Sequence, residues 1–167
     1  MSLREARMPV IINKDNAVPD VAHFVIGADG SEWSHAGVEL ATRLIRPGSK
    51  DHVSVVHIED PAAQAGSSRR FDSDAVEIKY QEYCKIHPNV TFRRVIKNKE
   101  QAIGDCMASQ AHELGATCII VGVDQVSKLA QGKPDHYVGS VTDRIVRNAS
   151  CSVIVIQERQ STFPNKK

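Results

Sequence analysis

The sequence predicts a single α/β domain, a doubly wound parallel sheet of five strands in the order 3-2-1-4-5 with helices on both faces. Three observations predict it. Short β-branched runs alternate with segments of helical spacing along most of the chain. Two of those runs, CIIVGV and SVIVI, are apolar without alternation, the pattern of strands covered on both faces. The length, 167 residues, suits one core and is short for two.

Residues 1–20 carry Pro9 and Pro19 and no sustained periodicity, so they are expected to form an arm or loosely packed lead-in to a domain spanning 21–157. Residues 23–28 read as the first strand. Beyond them Trp33, Gly37, Leu40, Ala41, Leu44 and Ile45 follow helical spacing, with Ser31 placed as the N-cap and Arg46-Pro47-Gly48 as the stop. Residues 53–58 give the second strand. A loose Gly/Ser/Arg segment at 61–73 precedes a helix marked by Val76, Tyr80, Tyr83 and Cys84. Residues 90–96 give the third strand, and the stripe Ala102, Ile103, Cys106, Met107, Ala111 and Leu114 a third helix, closed by Gly115. The fourth strand is 118–123. A polar segment follows to about residue 137, then a short helix through Val141, Ile145 and Val146, the fifth strand at 151–156 and a polar tail over 158–167.

Composition excludes several classes of function. With 21 basic against 20 acidic residues the chain has no field for gathering nucleic acid or anionic lipid. No run approaches transmembrane length, and the first ten residues lack the apolar core of a secretory signal, so a cytoplasmic location without membrane contact is expected. Cys84, Cys106, Cys118 and Cys151 lie far apart and form no zinc-type spacing, so no metal site is expected from them.

In a sheet of this kind ligands sit beyond the carboxyl ends of the strands, where strand order reverses. The loops to watch are therefore 27–33, 58–61 and 122–140. Gly27 and Gly30 let backbone approach a ligand closely, and the helix that follows offers unpaired amides. Asp29 would repel a phosphate there and suits a ribose hydroxyl, an adenine amine or a bound Mg2+; it could equally serve only as a cap. Gly139-Ser140-Val141-Thr142, at a helix start, is the better phosphate site, because its amides and two hydroxyls converge on one point. An ordinary capped helix start has the same residues.

Val25-x-x-x-Asp29-x-Ser31, His57-Ile58 ending the second strand, Gly122 followed by Gly139-Ser140, and the closing Arg147-x-x-x-Cys151-x-Val153 pattern together resemble the universal stress proteins over about residues 21–157. The resemblance implies an ATP-binding domain, with Mg2+ accompanying the ATP. It places Asp29 near the ribose or metal, Ile58 and Val121 beside adenine, and Gly122, Gly139, Ser140, Val141 and Thr142 around the phosphates, with Gly27 and Ala28 also in the nucleotide site. The chain departs from the family pattern in two ways. Gln125 stands where a second glycine is usual, and the spacer at 126–138 is lengthened, bringing in Lys128, Gly132 and Lys133.

Other readings fare less well. Gly27-Ala28-Asp29-Gly30 is not the G-x-G-x-x-G turn of a dinucleotide enzyme, and no G-x-x-x-x-G-K-[ST] is present. The third strand ends in Ile96-Lys97, where a phosphoryl-accepting receiver needs an aspartate. The seven histidines assemble no catalytic set, so at most slow ATP hydrolysis is expected. An interaction module of the same fold without nucleotide stays open. SVIVI carries no charge, and as an edge strand it would pair antiparallel with its twin in a homodimer, as the family resemblance also implies.

Overall fold

The computed structural model describes residues 9–14, 19–61, 72–123 and 139–156. In chain order the elements are β1 (Val10–Ile12), β2 (His23–Gly27), α1 (Glu32–Leu44), β3 (His52–Glu59), α2 (Ser73–Ile86), β4 (Val90–Ile96), α3 (Ile103–Glu113), β5 (Cys118–Gly122), α4 (Ser140–Asn148) and β6 (Ser152–Ile156). The sheet order is β1-β6-β5-β2-β3-β4. From β6 to β4 this is the predicted parallel order, with the reversal falling between β2 and β5, both central strands.

β-branched residues build the strands, and every central strand sends successive side chains to opposite faces. Ile26, Val53, Val55, Ile120, Ile154 and Ile156 pack with Val38 and Ala41 of α1 and Val76 and Tyr80 of α2. Val25, Val56, Ile119, Val121, Val153 and Val155 pack on the other face with Met107 and Ala111 of α3 and Ile145 of α4. Among the described residues, α1 and α2 thus cover one face of the sheet and α3 and α4 the other. Among the described residues, no helix is long and apolar enough to cross a membrane.

Polar ties fix the ends of the strands. Asp51, buried at the start of β3, accepts from the Ala22 amide at 2.7 Å and from Arg46 Nε at 2.8 Å, joining the starts of β2 and β3 to the end of α1. On β4, Arg94 donates to Glu59 at 2.7 Å, Asp74 at 2.7 Å and Glu77 at 3.1 Å, fastening that edge strand to β3 and α2.

Two expectations require correction. The segment before residue 21 is not merely a lead-in, because Val10–Ile12 forms a sixth strand. β6 is consequently not an edge: β1 pairs with it antiparallel, Val10 opposite Val155, Ile11 opposite Ile154 and Ile12 opposite Val153. The edge on which the expected homodimer would form is thus already paired within the chain. The physical reason is the one that suggested the dimer: an uncharged strand demands a partner, and the chain supplies one itself. Gln125, Lys128, Gly132, Lys133, the rest of the 126–138 spacer, most of the loose segment before α2 and the tail at 158–167 lie outside the described residues.

Candidate functional site

The site begins where β2 ends. Past Gly27 the chain holds its course for one more residue, because the Ala28 amide donates to the Val56 carbonyl at 2.8 Å. It then turns sharply at Gly30, whose φ of +88° lies in the left-handed region that favours glycine. Asp29 Oδ1 accepts from the Ser31 amide at 2.9 Å and from Ser31 Oγ at 2.5 Å. Ser31 Oγ in turn accepts from the Ser34 amide at 3.2 Å, which makes Ser31 the N-cap of α1 as its place in the sequence predicts. Asp29 thus shapes the turn through one carboxylate oxygen while its exposed side chain also borders the cleft described below.

His57, buried on β3, straps this turn from behind. Its Nδ1 lies 2.7 Å from the Ala28 carbonyl, which can only accept, so Nδ1 carries a proton. Its Nε2 lies 3.0 Å from Ser73 Oγ at the start of α2. Both ring nitrogens are committed to backbone position and helix docking, which makes His57 a positioning residue for the loop.

Opposite, β5 ends at Gly122. A Cβ built there would lie 2.5 Å from Trp33 Cβ, 2.7 Å from the Trp33 carbonyl carbon and 2.9 Å from its oxygen. The glycine is required because the first turn of α1 is seated directly on the strand end. Gly27 differs: a Cβ there would meet Met107 Sδ at 3.7 Å and Val121 Cγ1 at 3.9 Å, ordinary contacts with side chains that line the cleft.

The third wall is the start of α4. Gly139 is its N-cap, and among the described residues no side-chain hydrogen bond caps it. An α-helix leaves its first amides without intrahelical partners, so this end presents donors and the positive end of the helix dipole. Ser140 is exposed and Thr142 buried. The start of α4 is held in place by α3, where a Cβ on Gly104 would come within 2.6 Å of the Val141 carbonyl oxygen.

These pieces meet around a cleft of ≈ 470 Å³. Gly27, Ala28, Asp29, Ile58, Val121, Gly122, Gly139, Ser140, Val141 and Thr142, singled out from separate stretches of sequence, all line it. So do Ser34, Val56, Ile103, Met107, Val123 and Ile145, which sequence reasoning did not assign to a site. Val56 could have been found from strand pairing, since it sits opposite Gly27 in register and shares a face of β3 with Ile58. Met107 and Ile103 belong to the apolar stripe of α3, and nothing in that stripe distinguishes core from cleft wall. Apolar groups floor the cleft, while Asp29 is the one carboxylate among its described lining residues and the α4 start supplies donors. Such a cleft can take a flat apolar ring, a hydroxylated linker and an anionic end. Among the described residues, no group of three or more His, Cys, Asp or Glu side chains is placed to hold a metal ion.

A doubly wound α/β domain with a ligand-sized cleft at its topological switch point defines the class of protein. The chain belongs to the universal stress protein family, whose family model matches residues 21–157. Solved structures share the fold. A universal stress protein from Archaeoglobus fulgidus superposes with a TM-score of 0.66 at 16% identity over 93% of this chain, which spans only 52% of that protein's length. A universal stress protein family protein from Arabidopsis thaliana with AMP bound gives 0.57 at 12% identity, covering 87% of this chain and 97% of that one. Another from Archaeoglobus fulgidus, in complex with dAMP, gives 0.53 at 20% identity, covering 80% and 96%. No curated protein sequence matches the chain.

Proposed function

We propose that this chain binds an adenine nucleotide in the cleft between the ends of β2 and β5, with ATP as the preferred occupant and Mg2+ arriving with it. The convergence of three loops, distant in sequence, on one cleft of ≈ 470 Å³ carries the reading, since that volume lies within the range of small-ligand sites. Family relatives with AMP and dAMP support the adenine. In this reading Ile58 and Val121 flank the base, Gly27 and Ala28 give it backbone room, and Asp29 meets the ribose or the metal. Gly122 borders the phosphates, which the amides of Gly139, Ser140, Val141 and Thr142 and the two hydroxyls receive. No residue of the described site is arranged as a nucleophile or general base. The protein is best understood as a cytoplasmic nucleotide-dependent regulator, with slow hydrolysis at most.

Isothermal titration with ATP, AMP and NAD, with and without Mg2+, tests this. ATP and AMP should bind and NAD should not. Ser140→Asp should weaken ATP at least about tenfold while leaving the fold intact, because two like charges about 4 Å apart repel by about 4 kcal/mol at the effective dielectric of a protein surface. Silence with all three ligands would remove the nucleotide and leave an interaction module of the same fold.

A further inference from the structure

A second, smaller chamber of ≈ 210 Å³ lies beside the cleft. Ile103, Ser140 and Val141 line both, so the two meet around the start of α4. Its volume is below the range of about 300–1,000 Å³ for a whole small-ligand site, and it suits one group of a ligand whose body lies elsewhere. Its walls are polar where the cleft floor is apolar. Lys97 and Arg144 supply cations, Gln101 a carboxamide and Ser140 a hydroxyl, while Asp60 is the one carboxylate among the described lining residues. Asp105, outside the lining, holds Arg144 at 2.9 Å. The first turn of α3, with no side-chain cap among the described residues, adds amide donors to the same wall.

Lys97 is the unusual member, because its side chain is only 6% exposed and lysine is seldom buried. Its amide donates to the Glu59 carbonyl at 3.0 Å, which carries the β3–β4 ladder one residue further and fixes where the stem leaves the sheet. Its ammonium lies 3.2 Å from Asp60 Oδ1 and donates to the Asn98 and Lys99 carbonyls at 3.3 and 3.5 Å. All three contacts are longer than the about 2.7–2.9 Å of a well-made charge-assisted bond. Burial has removed most of the water that would otherwise solvate this cation, so a further anionic acceptor stabilises it.

We propose that the chamber is a subsite for the terminal phosphoryl group of a nucleoside triphosphate, and that Lys97 sets a preference for triphosphate over monophosphate. The proposal rests on the nucleotide reading of the cleft and deepens it. With the base beside Ile58 and Val121, the polyphosphate runs along the α4 start, passes Ser140 and ends against Lys97, Gln101 and Arg144. A monophosphate stops at α4 and leaves the chamber to water. Asp60 limits the gain, since it already neutralises part of the Lys97 charge.

Isothermal titration with AMP and ATP in the absence of Mg2+ tests this on the full-length chain and two full-length variants. Lys97→Met keeps most of the stem and removes the charge; Gln101→Glu sets an opposing charge at a half-buried position of the chamber wall. Wild type should bind ATP more tightly than AMP. Each variant should lower the ATP affinity at least about tenfold, the weight of one hydrogen bond to a charged group, and leave the AMP affinity unchanged. Equal wild-type affinities for AMP and ATP, or variants that keep the wild-type ratio, would overturn the subsite while leaving the cleft as a nucleotide site. Variants that lose AMP and ATP alike would overturn it too, since these residues would then act on the cleft as a whole. Silence of wild type with both ligands would overturn the nucleotide reading and the subsite with it. Inorganic phosphate, titrated alone, separates the subsite from a site for free anions: it should bind far more weakly than ATP, and binding as tight as that of ATP would overturn the assignment. Should Lys97→Met fail to fold, Gln101→Glu decides alone, and an unchanged ratio overturns the proposal.

Discussion

Gly122 and Gly27 resemble one another in sequence, each ending a strand beside the cleft, yet alanine should affect them in opposite ways. At Gly122 the added Cβ would sit 2.5 Å from Trp33 Cβ and 2.7 Å from the Trp33 carbonyl carbon, against the 3.5–4.0 Å at which carbon pairs are normally comfortable. The overlap is about 1 Å, and two of the three atoms met are backbone of the first turn of α1, so no rotamer change relieves it. Overpacking of this kind costs about 1–3 kcal/mol. Replacing a strand glycine recovers roughly 0.5–1 kcal/mol of backbone entropy, leaving a net loss of about 1 kcal/mol at the middle of those ranges. At roughly 2–4 °C per kcal/mol for a chain of this size, the melting temperature should fall by about 2–5 °C. At Gly27 the nearest atoms would lie 3.7–3.9 Å away, all in side chains, so Gly27→Ala should keep or slightly raise stability while its methyl narrows the cleft and weakens nucleotide binding. Thermal unfolding beside titration with AMP reads both effects. A Gly122→Ala protein melting at or above wild type would refute the assignment of that glycine to packing.

Other outcomes follow from individual contacts. The Arg46 guanidinium and the Ala22 amide hold the Asp51 carboxyl below the usual carboxylate range, so its contribution to stability is present above about pH 4 and is lost as pH falls below that. Urea midpoints measured from pH 7 to pH 3 should drop more steeply for wild type than for Asp51→Asn. Burial pushes the Cys118 thiol up to about 12, and Cys151 is raised for the same reason, so alkylation at pH 8 should modify half-buried Cys84 first and reach Cys118 and Cys151 only on unfolding. His57→Phe should cost about 1–3 kcal/mol by orphaning the buried Ala28 carbonyl, and should weaken nucleotide binding as the loop loses its strap; unchanged stability would remove that role.

Much of the fold was legible because its signals are local. The runs CIIVGV and SVIVI announce strands buried on two faces, Ser31 announces a helix start, and Gly115, with a φ of +66°, a helix end. The alternation of such elements leaves few topologies, and the parallel order follows from them. β1 was not legible for the opposite reason. Three apolar residues between prolines have no period to detect, and their strand conformation comes from Val153, Ile154 and Val155, more than a hundred residues away. The same long-range dependence explains why the exposed edge expected for SVIVI was already occupied.

At the site, the sequence marks which residues converge but not what each one is for. A glycine at a strand end satisfies a ligand motif whether its missing side chain makes room for a phosphate or for another helix, and at Gly122 the structure shows Trp33 in that room. Asp29 is divided in a similar way, with one oxygen committed to Ser31 while the residue also lines the cleft. The turn that suggested a ribose partner is therefore also the device that starts α1, and it uses one oxygen of that carboxylate. What points beyond packing is the open start of α4: Gly139 offers no side chain to close it, and Ser140 and Thr142, which could have capped it, stand inside the helix with the cleft in front of them.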